Sequence, residues 1–432
     1  MHKLIKTLSP ARIIALGFAS VILIGSLLLM LPCSVRPGVE LSFIDSLYTS
    51  TSAVCVTGLV CVDSYNTFTP IGQCILGALI QIGGLGVTSV GAGIILAVGK
   101  KMDLKGRSLV KEAMNLESGK GIVVFVKSVF FTTIIIEFIG ALLSFLVFVG
   151  DYPLPRAIGM SIFHSIASFN NAGFDIVGDF QNFIPYRNNV LLNIVTCALI
   201  FLGGIGFLVI REMWAKKFHF KKYSMHAKVV LTVSIALIII GGLLIKCTED
   251  ISWMAAFFHS VSARTAGFAS YPLGEFTNAG LMVMMVLMAI GASSGSTGGG
   301  IKTSTFFVLL QGVKSAATNK SEKAFKYAIP RECFRKAAVI TLLAISVIVG
   351  GTYLLCVMEP QLEIVDAMFE VTSAFGTVGL STGITTTLGI PAKMLSIFIM
   401  YIGRLGPLTI ATLWYFSRGE RVKFPEGNIA IG

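Results

Sequence analysis

The segment DSLYTSTSAVCVTG, from Asp45 to Gly58, decides the fold because similar segments recur along the chain. Each of them is an apolar, aromatic-containing stretch that ends on a glycine. The other three are MSIFHSIASFNNAG from Met160 to Gly173, MAAFFHSVSARTAG from Met254 to Gly267 and DAMFEVTSAFGTVG from Asp366 to Gly379. About 100 residues therefore repeat four times, which predicts an internal pseudo-fourfold symmetry.

The composition predicts an all-α polytopic membrane protein. Of the 432 residues, 54% are hydrophobic and only 13% are charged, too few charges for the surface of a water-soluble protein of this length. A helix needs about 20 apolar residues to cross the bilayer. Eight candidate spans lie at approximately 13–32, 70–98, 122–149, 189–210, 227–246, 279–311 (broken), 336–357 and 391–416.

A shorter apolar segment lies between the two spans of each pair and is too short to cross as a helix, so it is expected to turn back within the membrane. Each repeat is then a span, a re-entrant pore helix with its loop, and a second span, arranged around one pseudo-fourfold pore. The predicted repeats are 1–98, 99–215, 216–312 with a broken second span, and 313–432.

Basic residues are concentrated on one side of these spans. The termini and the connections after the second, fourth and sixth spans hold 25 of the 34 lysines and arginines. The positive-inside rule places this side in the cytoplasm, so both termini are expected inside a plasma membrane and the pore loops outside. Because topology explains most of the net charge of +12, and the basic loops lack interleaved aromatic residues, no nucleic-acid partner is expected.

The loops after the short helices are the candidate selectivity filter. A pore helix that enters from outside directs the partial negative charge of its C-terminus toward the bilayer centre. Backbone carbonyls of the extended residues that follow can replace the hydration shell of a large monovalent cation such as K⁺. The predicted filter residues are Cys55, Val56, Thr57, Gly58, Asn170, Asn171, Ala172, Gly173, Arg264, Thr265, Ala266, Gly267, Gly376, Thr377, Val378 and Gly379.

The second spans also match one another, through QIGGLG, FLGGIG and YIGRLG, but the third copy reads AIGASSGSTGGGIK from Ala289 to Lys302. So many glycines make a continuous helix costly, and an unwound segment is tolerated in a membrane only inside protein or beside pore water. We interpret it as a gating loop beneath the filter, in preference to a kink that eases packing. Its residues are Gly291, Ala292, Ser293, Ser294, Gly295, Ser296, Thr297, Gly298, Gly299 and Gly300.

Two arginines lie at membrane depth, where an ionisable side chain suggests function. Arg404, in the fourth second span, can repel cations, anchor the gating loop, or pair with Glu370 or Glu137. Arg264 is expected to point behind its filter loop, toward Asp366 or Glu370. Lys302, near the cytoplasmic end of its span, can snorkel to the interface.

Two histidines, His164 and His259, lie on re-entrant helices. Packing or hydrogen bonding within the protein is the favoured interpretation, and pH sensing is the alternative.

The chain resembles the superfamily of K⁺ transporters that includes the Trk, Ktr and HKT proteins, in particular the membrane subunit of the Ktr type. The resemblance rests on SAVCVTGL, SFNNAGF, SARTAGF and SAFGTVGL, and on the later GGLG, GGIG and IGRLGP. It implies that Gly58, Gly173, Gly267 and Gly379 mark a K⁺ filter. Members with serine in the first of these places tend to pass Na⁺, and this chain has Gly58 there.

The resemblance further implies K⁺ uptake gated by the glycine-rich loop, with no covalently bound cofactor and with Na⁺ dependence left open. It also implies a homodimer in the lipid bilayer that sits on a cytosolic ring of KtrA/TrkA-type nucleotide-binding subunits, so the nucleotide belongs to the partner.

An enzyme is not expected. GSTGGGIKT resembles a phosphate-binding loop, but Ile301 separates the glycine and lysine that must be adjacent in that motif. The remaining alternative is a secondary cation transporter (symporter) with alternating access, although such proteins commonly have inverted repeats.

Overall fold

The computed structural model describes residues 9–97, 104–113, 121–217 and 219–413, which are helical apart from turns, loops and one two-stranded hairpin. Lys3, Lys6, Lys100, Lys101, Lys120, the basic residues after 413, the predicted boundary at 98/99 and the end of the last repeat lie outside the described residues. In chain order the helices are α1 (Pro10–Leu29), α2 (Phe43–Val54), α3 (Ser64–Thr67), α4 (Pro70–Leu85), α5 (Val87–Ala97), α6 (Leu104–Ala113), α7 (Ile122–Asp151), α8 (Leu154–Phe169), α9 (Val190–Ile205), α10 (Phe207–Ala215), α11 (Met225–Thr248), α12 (Trp253–Ser262), α13 (Asn278–Ala289), α14 (Thr303–Thr318), α15 (Arg331–Met358), α16 (Ile364–Gly376), α17 (Ile390–Leu405) and α18 (Pro407–Thr412). Strands β1 (Lys323–Ala324) and β2 (Tyr327–Ala328) form the antiparallel hairpin.

The first helix of each repeat, namely α1, α7, α11 and α15, is long and apolar enough to cross a membrane by itself. The short helices α2, α8, α12 and α16 follow them as predicted, so the all-α, multi-span fold class is confirmed. Several of these helices begin at a side-chain cap. Ser42, Ser224 and Ser252 each accept a hydrogen bond from a backbone amide three residues later, which satisfies a donor that the helix leaves free.

A glycine on each long helix lets the pore helix of the same repeat approach closely. A Cβ on Gly25, Gly140 or Gly241 would meet the hydroxyl of Ser50, Ser165 or Ser260 at 2.5 Å. In the fourth repeat a Cβ on Gly351 would meet Val371 instead. The same helix pair therefore packs in the same register in all four repeats.

The second spans are not single helices. Helices α4 and α5 meet at 97° across Gly86, and α9 and α10 meet at 99° across Gly206. The candidate spans 70–98 and 189–210 are therefore each broken, a feature predicted from the sequence only for the span 279–311. Gly86 and Gly206 have φ of 83° and 90°, a left-handed conformation that glycine adopts without strain. Gly406, with φ of 88°, separates α17 from α18 in the same way.

Candidate ion pathway and gate

The predicted filter segments lie at the C-terminal ends of the four pore helices. Their residues are buried, except Gly379, which is half-buried. Their backbone has a common conformation. The residue two before each glycine has positive φ although it is not glycine: 57° at Val56, 59° at Asn171, 77° at Thr265 and 51° at Thr377. Each terminal glycine also has positive φ, and the residue between them does not. This alternation in the sign of φ turns successive backbone carbonyls toward the same side of the chain. In a β-strand, by contrast, successive carbonyls point to opposite sides.

The four terminal glycines form a closed ring. A Cβ on Gly58 would come within 3.0 Å of the Ala172 carbonyl oxygen in the second repeat, and a Cβ on Gly173 would do the same to Ala266 in the third. The ring is completed by Gly267 against the Val378 carbonyl and by Gly379 against the Thr57 carbonyl. Because each contact joins one repeat to the next, the structure brings the four predicted filter segments together around one axis.

The glycine-rich segment 291–300 is an irregular loop between α13 and α14, as predicted. Backbone hydrogen bonds fix it to the break of the second repeat: Ser293 donates to the Gly204 carbonyl at 3.0 Å, and Phe207 donates to the Gly295 carbonyl at 3.1 Å. It also contacts the filter directly, since the Gly299 amide donates to Thr377 Oγ1 at 2.9 Å. A Cβ on Gly298 or Gly299 would collide with Thr265 or Thr377, so only glycine fits there.

Two basic side chains hold this loop from below. Arg404 donates to the carbonyls of Thr297, Gly83 and Gly84 and so links the loop to the first repeat. Lys302 donates to the Gly298 carbonyl at 2.7 Å and to the Gly299 carbonyl at 3.3 Å. Lys302 thus folds back onto the loop rather than snorkelling, a contact that the sequence analysis missed. The nearby glycine run was the only hint of it, because unwound carbonyls need donors.

The carboxylates considered as partners of these arginines bind elsewhere. Glu370 accepts hydrogen bonds from Ser381 and Thr385, at 2.7 and 2.6 Å, and Glu137 accepts them from amide side chains. Arg264 does point behind its filter loop, but it donates to Ser234 of α11 and not to Asp366 or Glu370. The suggested ion pairs do not form. The two guanidinium groups donate hydrogen bonds to nearby backbone carbonyls and to the Ser234 hydroxyl instead.

Both histidines are buried and hydrogen-bonded. His164 Nε2 lies 2.9 Å from Thr196 Oγ1, and His259 Nε2 lies 3.2 Å from Ser270 Oγ. Both pack against phenylalanine rings. These contacts favour the structural interpretation of the two residues.

A cavity of about 280 Å³ lies beside the loop. Gly295, Ser296, Gly298, Lys302 and Arg404 line it together with the glycines of the first and fourth breaks. None of the predicted filter residues lines it, whereas the loop itself contacts the filter residue Thr377 through Gly299.

An acidic residue lies just beyond the filter in the second repeat. Burial raises the pKa of the Asp175 carboxyl to about 6, against a hydrogen bond from the Val177 amide and in the same direction as the nearby charge of Asp63. The Asp175 carboxyl therefore changes its charge near pH 6.

Comparison with known proteins agrees with this architecture. The family model described as "TrkH: Cation transport protein" matches residues 12–234 and 228–418. The chain is 37% identical to "Ktr system potassium uptake protein B" of Bacillus subtilis, over 98% of this chain and 97% of that protein. It is 38% identical to "Potassium/sodium uptake protein NtpJ" of Enterococcus hirae, over 99% and 98%.

Among solved structures, the potassium transporter TrkH from Vibrio parahaemolyticus matches with a TM-score of 0.74 over 95% of this chain and 86% of that one. At 17% identity this match supports the fold alone. The family model and the two relatives span nearly the whole chain, and the predicted family and the non-enzymatic class are confirmed. The chain belongs to the TrkH family of cation transport proteins.

Proposed function

We propose that this protein takes up K⁺ across the plasma membrane through a channel-like pore with a backbone-carbonyl filter. The observation that carries the proposal is the closed ring of Gly58, Gly173, Gly267 and Gly379, preceded in every repeat by the same alternating backbone. Carbonyl dipoles of this kind suit a large, weakly hydrated cation. The relatives from B. subtilis and E. hirae, whose names include potassium uptake, support the same ion.

The site residues of the proposal are the sixteen filter residues named from the sequence. Gly58, Thr57 and their counterparts would present carbonyls to the ion, and the side chains would stay behind the backbone. Arg264 fits this division, because its guanidinium group is hydrogen-bonded to Ser234, away from the ring.

The loop 291–300 is the proposed gate, and Arg404 and Lys302 hold it closed. Its hydrogen bonds to Thr377 above and to both basic side chains below support this role. In this proposal an ion leaving the filter reaches the cavity beside the loop only if the loop moves. Uptake driven by the membrane potential would then be limited by how often these contacts break.

Four further features belong to the proposal. They are the division into repeats at 98/99, 215/216 and 312/313, cytoplasmic termini, a homodimer, and regulation by a cytosolic nucleotide-binding ring of the KtrA/TrkA type. The repeated helix packing supports the division, and the basic connections support the orientation.

An alternating-access symporter that couples K⁺ to Na⁺ is the second candidate. The E. hirae relative, named a potassium/sodium uptake protein, favours it. In a channel-like pore, flux should follow the electrochemical gradient without a fixed coupling ratio, whereas a symporter should move Na⁺ with K⁺ in constant proportion.

The deciding experiment is K⁺ uptake at low external K⁺ in cells that lack their own uptake systems and contain a Ktr-type cytosolic partner. The parent chain should restore uptake, and Gly58→Ser should admit more Na⁺. Gly38→Ser is the control, because Gly38 also has positive φ but a Cβ there would meet nothing within 4 Å. Absence of any cation flux, with protein and partner shown to be present, would overturn the pore proposal.

A further inference from the structure

One corner of the pore has a carboxyl group where the equivalent corners have an isoleucine side chain. Glu137 is the sixteenth of the 30 residues of α7, and it therefore lies midway along a membrane span. The Ser165 hydroxyl donates to its backbone carbonyl at 2.6 Å. Ser50 and Ser260, in the first and third repeats, make the same bond to the carbonyls of Ile22 and Ile238. The structure therefore aligns Glu137 with isoleucine in the other repeats.

The fourth repeat agrees with this alignment. Ile348 lies three residues before Gly351, just as Glu137 lies three before Gly140. A carboxyl group in the middle of a membrane span is costly and is kept where it has a function. Glu137 takes part in none of the ion pairs among the described residues.

The partners of Glu137 lead directly to the filter. Its Oε1 accepts a hydrogen bond from Asn170 Nδ2 at 3.0 Å, and its Oε2 accepts one from Gln81 Nε2 at 3.2 Å. Asn170 Nδ2 also lies 2.8 Å from Gln81 Oε1. Asn170 is the C-cap of pore helix α8 and the first predicted filter residue of the second repeat. Three groups from two repeats thus close a small polar network behind the filter.

The amide nitrogen provides the only polar anchoring of the Asn170 side chain. Its Oδ1 is buried without a hydrogen-bond partner and lies against Gly84, where no larger residue would fit. The next residue, Asn171, has the left-handed backbone that begins the carbonyl alternation. If the side chain of Asn170 moved, the backbone at the inner end of this filter segment would be free to move with it.

The equivalent corner between the second and third repeats lacks such a network. There Phe201, in the place of Gln81, and Ile238, in the place of Glu137, lie against Arg264, which uses Ser234 as its partner. The polar network is therefore a local departure from the fourfold pattern and not a requirement of the fold.

We propose that Glu137 is a positioning residue for ion selection: with Gln81 it holds Asn170, and thereby sets the carbonyl geometry of the second filter segment. This inference rests on the proposed function as a K⁺ pathway. Glu137 itself does not touch the ion in this account and acts through Asn170.

The test compares purified Glu137→Ile, Glu137→Gln and the parent in proteoliposomes, measuring the KM for K⁺ and the ratio of K⁺ to Na⁺ uptake. Isoleucine copies the residue found in the other repeats and should raise the KM for K⁺ about tenfold, the effect of leaving a buried amide donor without its acceptor. It should also lower the K⁺/Na⁺ ratio, with a smaller effect on the maximal rate. Glutamine keeps an acceptor for Asn170 and should stay within about twofold of the parent.

The control is Ile238→Val, which removes a methylene group at the position of the third repeat that is equivalent to Glu137. It should leave the K⁺/Na⁺ ratio unchanged. If Glu137→Ile does not fold, Gln81→Met decides. It removes the other side-chain partner of Asn170 at similar size, so that Asn170 keeps only Glu137 and the Ile166 carbonyl of its own helix. It should therefore shift the KM and the ratio in the same direction. If a folded Glu137→Ile or Gln81→Met variant kept the parent KM and the parent K⁺/Na⁺ ratio, the inference would be overturned while the proposed function stayed intact. A parent protein without K⁺ uptake would instead overturn the proposed function.

Discussion

At the scale of single residues, the residue two positions before each filter glycine orients the carbonyls, and in the fourth repeat it has a second role. It carries the positive φ that orients the carbonyls, and in the fourth repeat its side chain also reaches the loop below, through Thr377 Oγ1 and the Gly299 amide. In the third repeat the equivalent hydroxyl, on Thr265, is hydrogen-bonded to Asn171. Among the described residues, the bond from the Gly299 amide to Thr377 is the hydrogen bond that connects the filter segments to the proposed gate.

Thr377→Val should therefore speed uptake. Valine is nearly isosteric, and Val56 shows that this backbone conformation accepts it. The Gly299 amide would lose its acceptor, which should destabilise the closed loop by about 1 kcal/mol or more. Maximal K⁺ uptake in proteoliposomes should rise several-fold with a smaller change in KM, whereas Thr265→Val should not raise it. A rate equal to or below that of the parent would count against the loop as the gate.

Asp175 predicts a pH dependence at the outer end of the proposed filter. Since its pKa is about 6, the carboxyl is negative above that pH and attracts cations, and it becomes neutral as the pH falls through 6. The KM for K⁺ should rise over that interval at low ionic strength, where the charge is least screened. Asp175→Asn should have the higher KM above pH 6, should match the parent below it, and should show no inflection near 6. Asp179→Asn, on the same loop, is the control and should keep the inflection.

At the scale of helices, glycines with positive φ break the second spans, and the breaks have different neighbours. Gly206 lies against the proposed gating loop, where a Cβ would come within 2.9 Å of the Ser294 carbonyl oxygen. A Cβ on Gly86 would meet nothing within 4 Å. The two glycines have nearly the same backbone, with φ of 83° and 90° and ψ of 130° and 147°.

Substitutions at Gly86 and Gly206 separate the cost of backbone strain from the effect of displacing the loop. Gly86→Ala and Gly206→Ala should each lose about 1–3 kcal/mol of stability, because alanine is strained in this conformation. Gly206→Ala should in addition push the Ser294 carbonyl and raise the maximal uptake rate of the protein that remains folded. Thermal unfolding and uptake per folded molecule measure the two effects. Equal uptake by the two variants would show that the break does not communicate with the loop.

The repeated glycines made the pore helices, the filter segments and the third broken span predictable from the sequence. The breaks at Gly86 and Gly206 were not predicted, because a glycine pair in an apolar run is equally compatible with close helix packing. The positive φ of Val56 and Thr377 could not be read from residues that usually avoid it. The partners of Arg404 and Arg264 depend on which carbonyls the tertiary fold leaves unpaired, and residue type does not reveal that.

At the scale of the whole molecule, the proposed filter is a property of the assembled repeats. Each terminal glycine contacts the carbonyl of the next repeat, and the contact from Gly379 to Thr57 joins the last repeat to the first. A side chain at any of these glycines therefore acts on a neighbouring repeat as well as on its own.

Gly379→Ala tests this closure. The added methyl group would be forced against the Thr57 carbonyl and Gly58, an overpacking that typically costs about 1–3 kcal/mol. The displaced carbonyl belongs to the first repeat, so the K⁺/Na⁺ uptake ratio should fall, as expected also for Gly58→Ser. Gly383→Ala is the matched control: Gly383 also has positive φ, of 106°, and lies four residues further along, but a Cβ there meets nothing within 4 Å. It should lose stability and keep the parent ratio. If both variants kept the parent ratio, the contact between the fourth and first repeats would not determine selectivity.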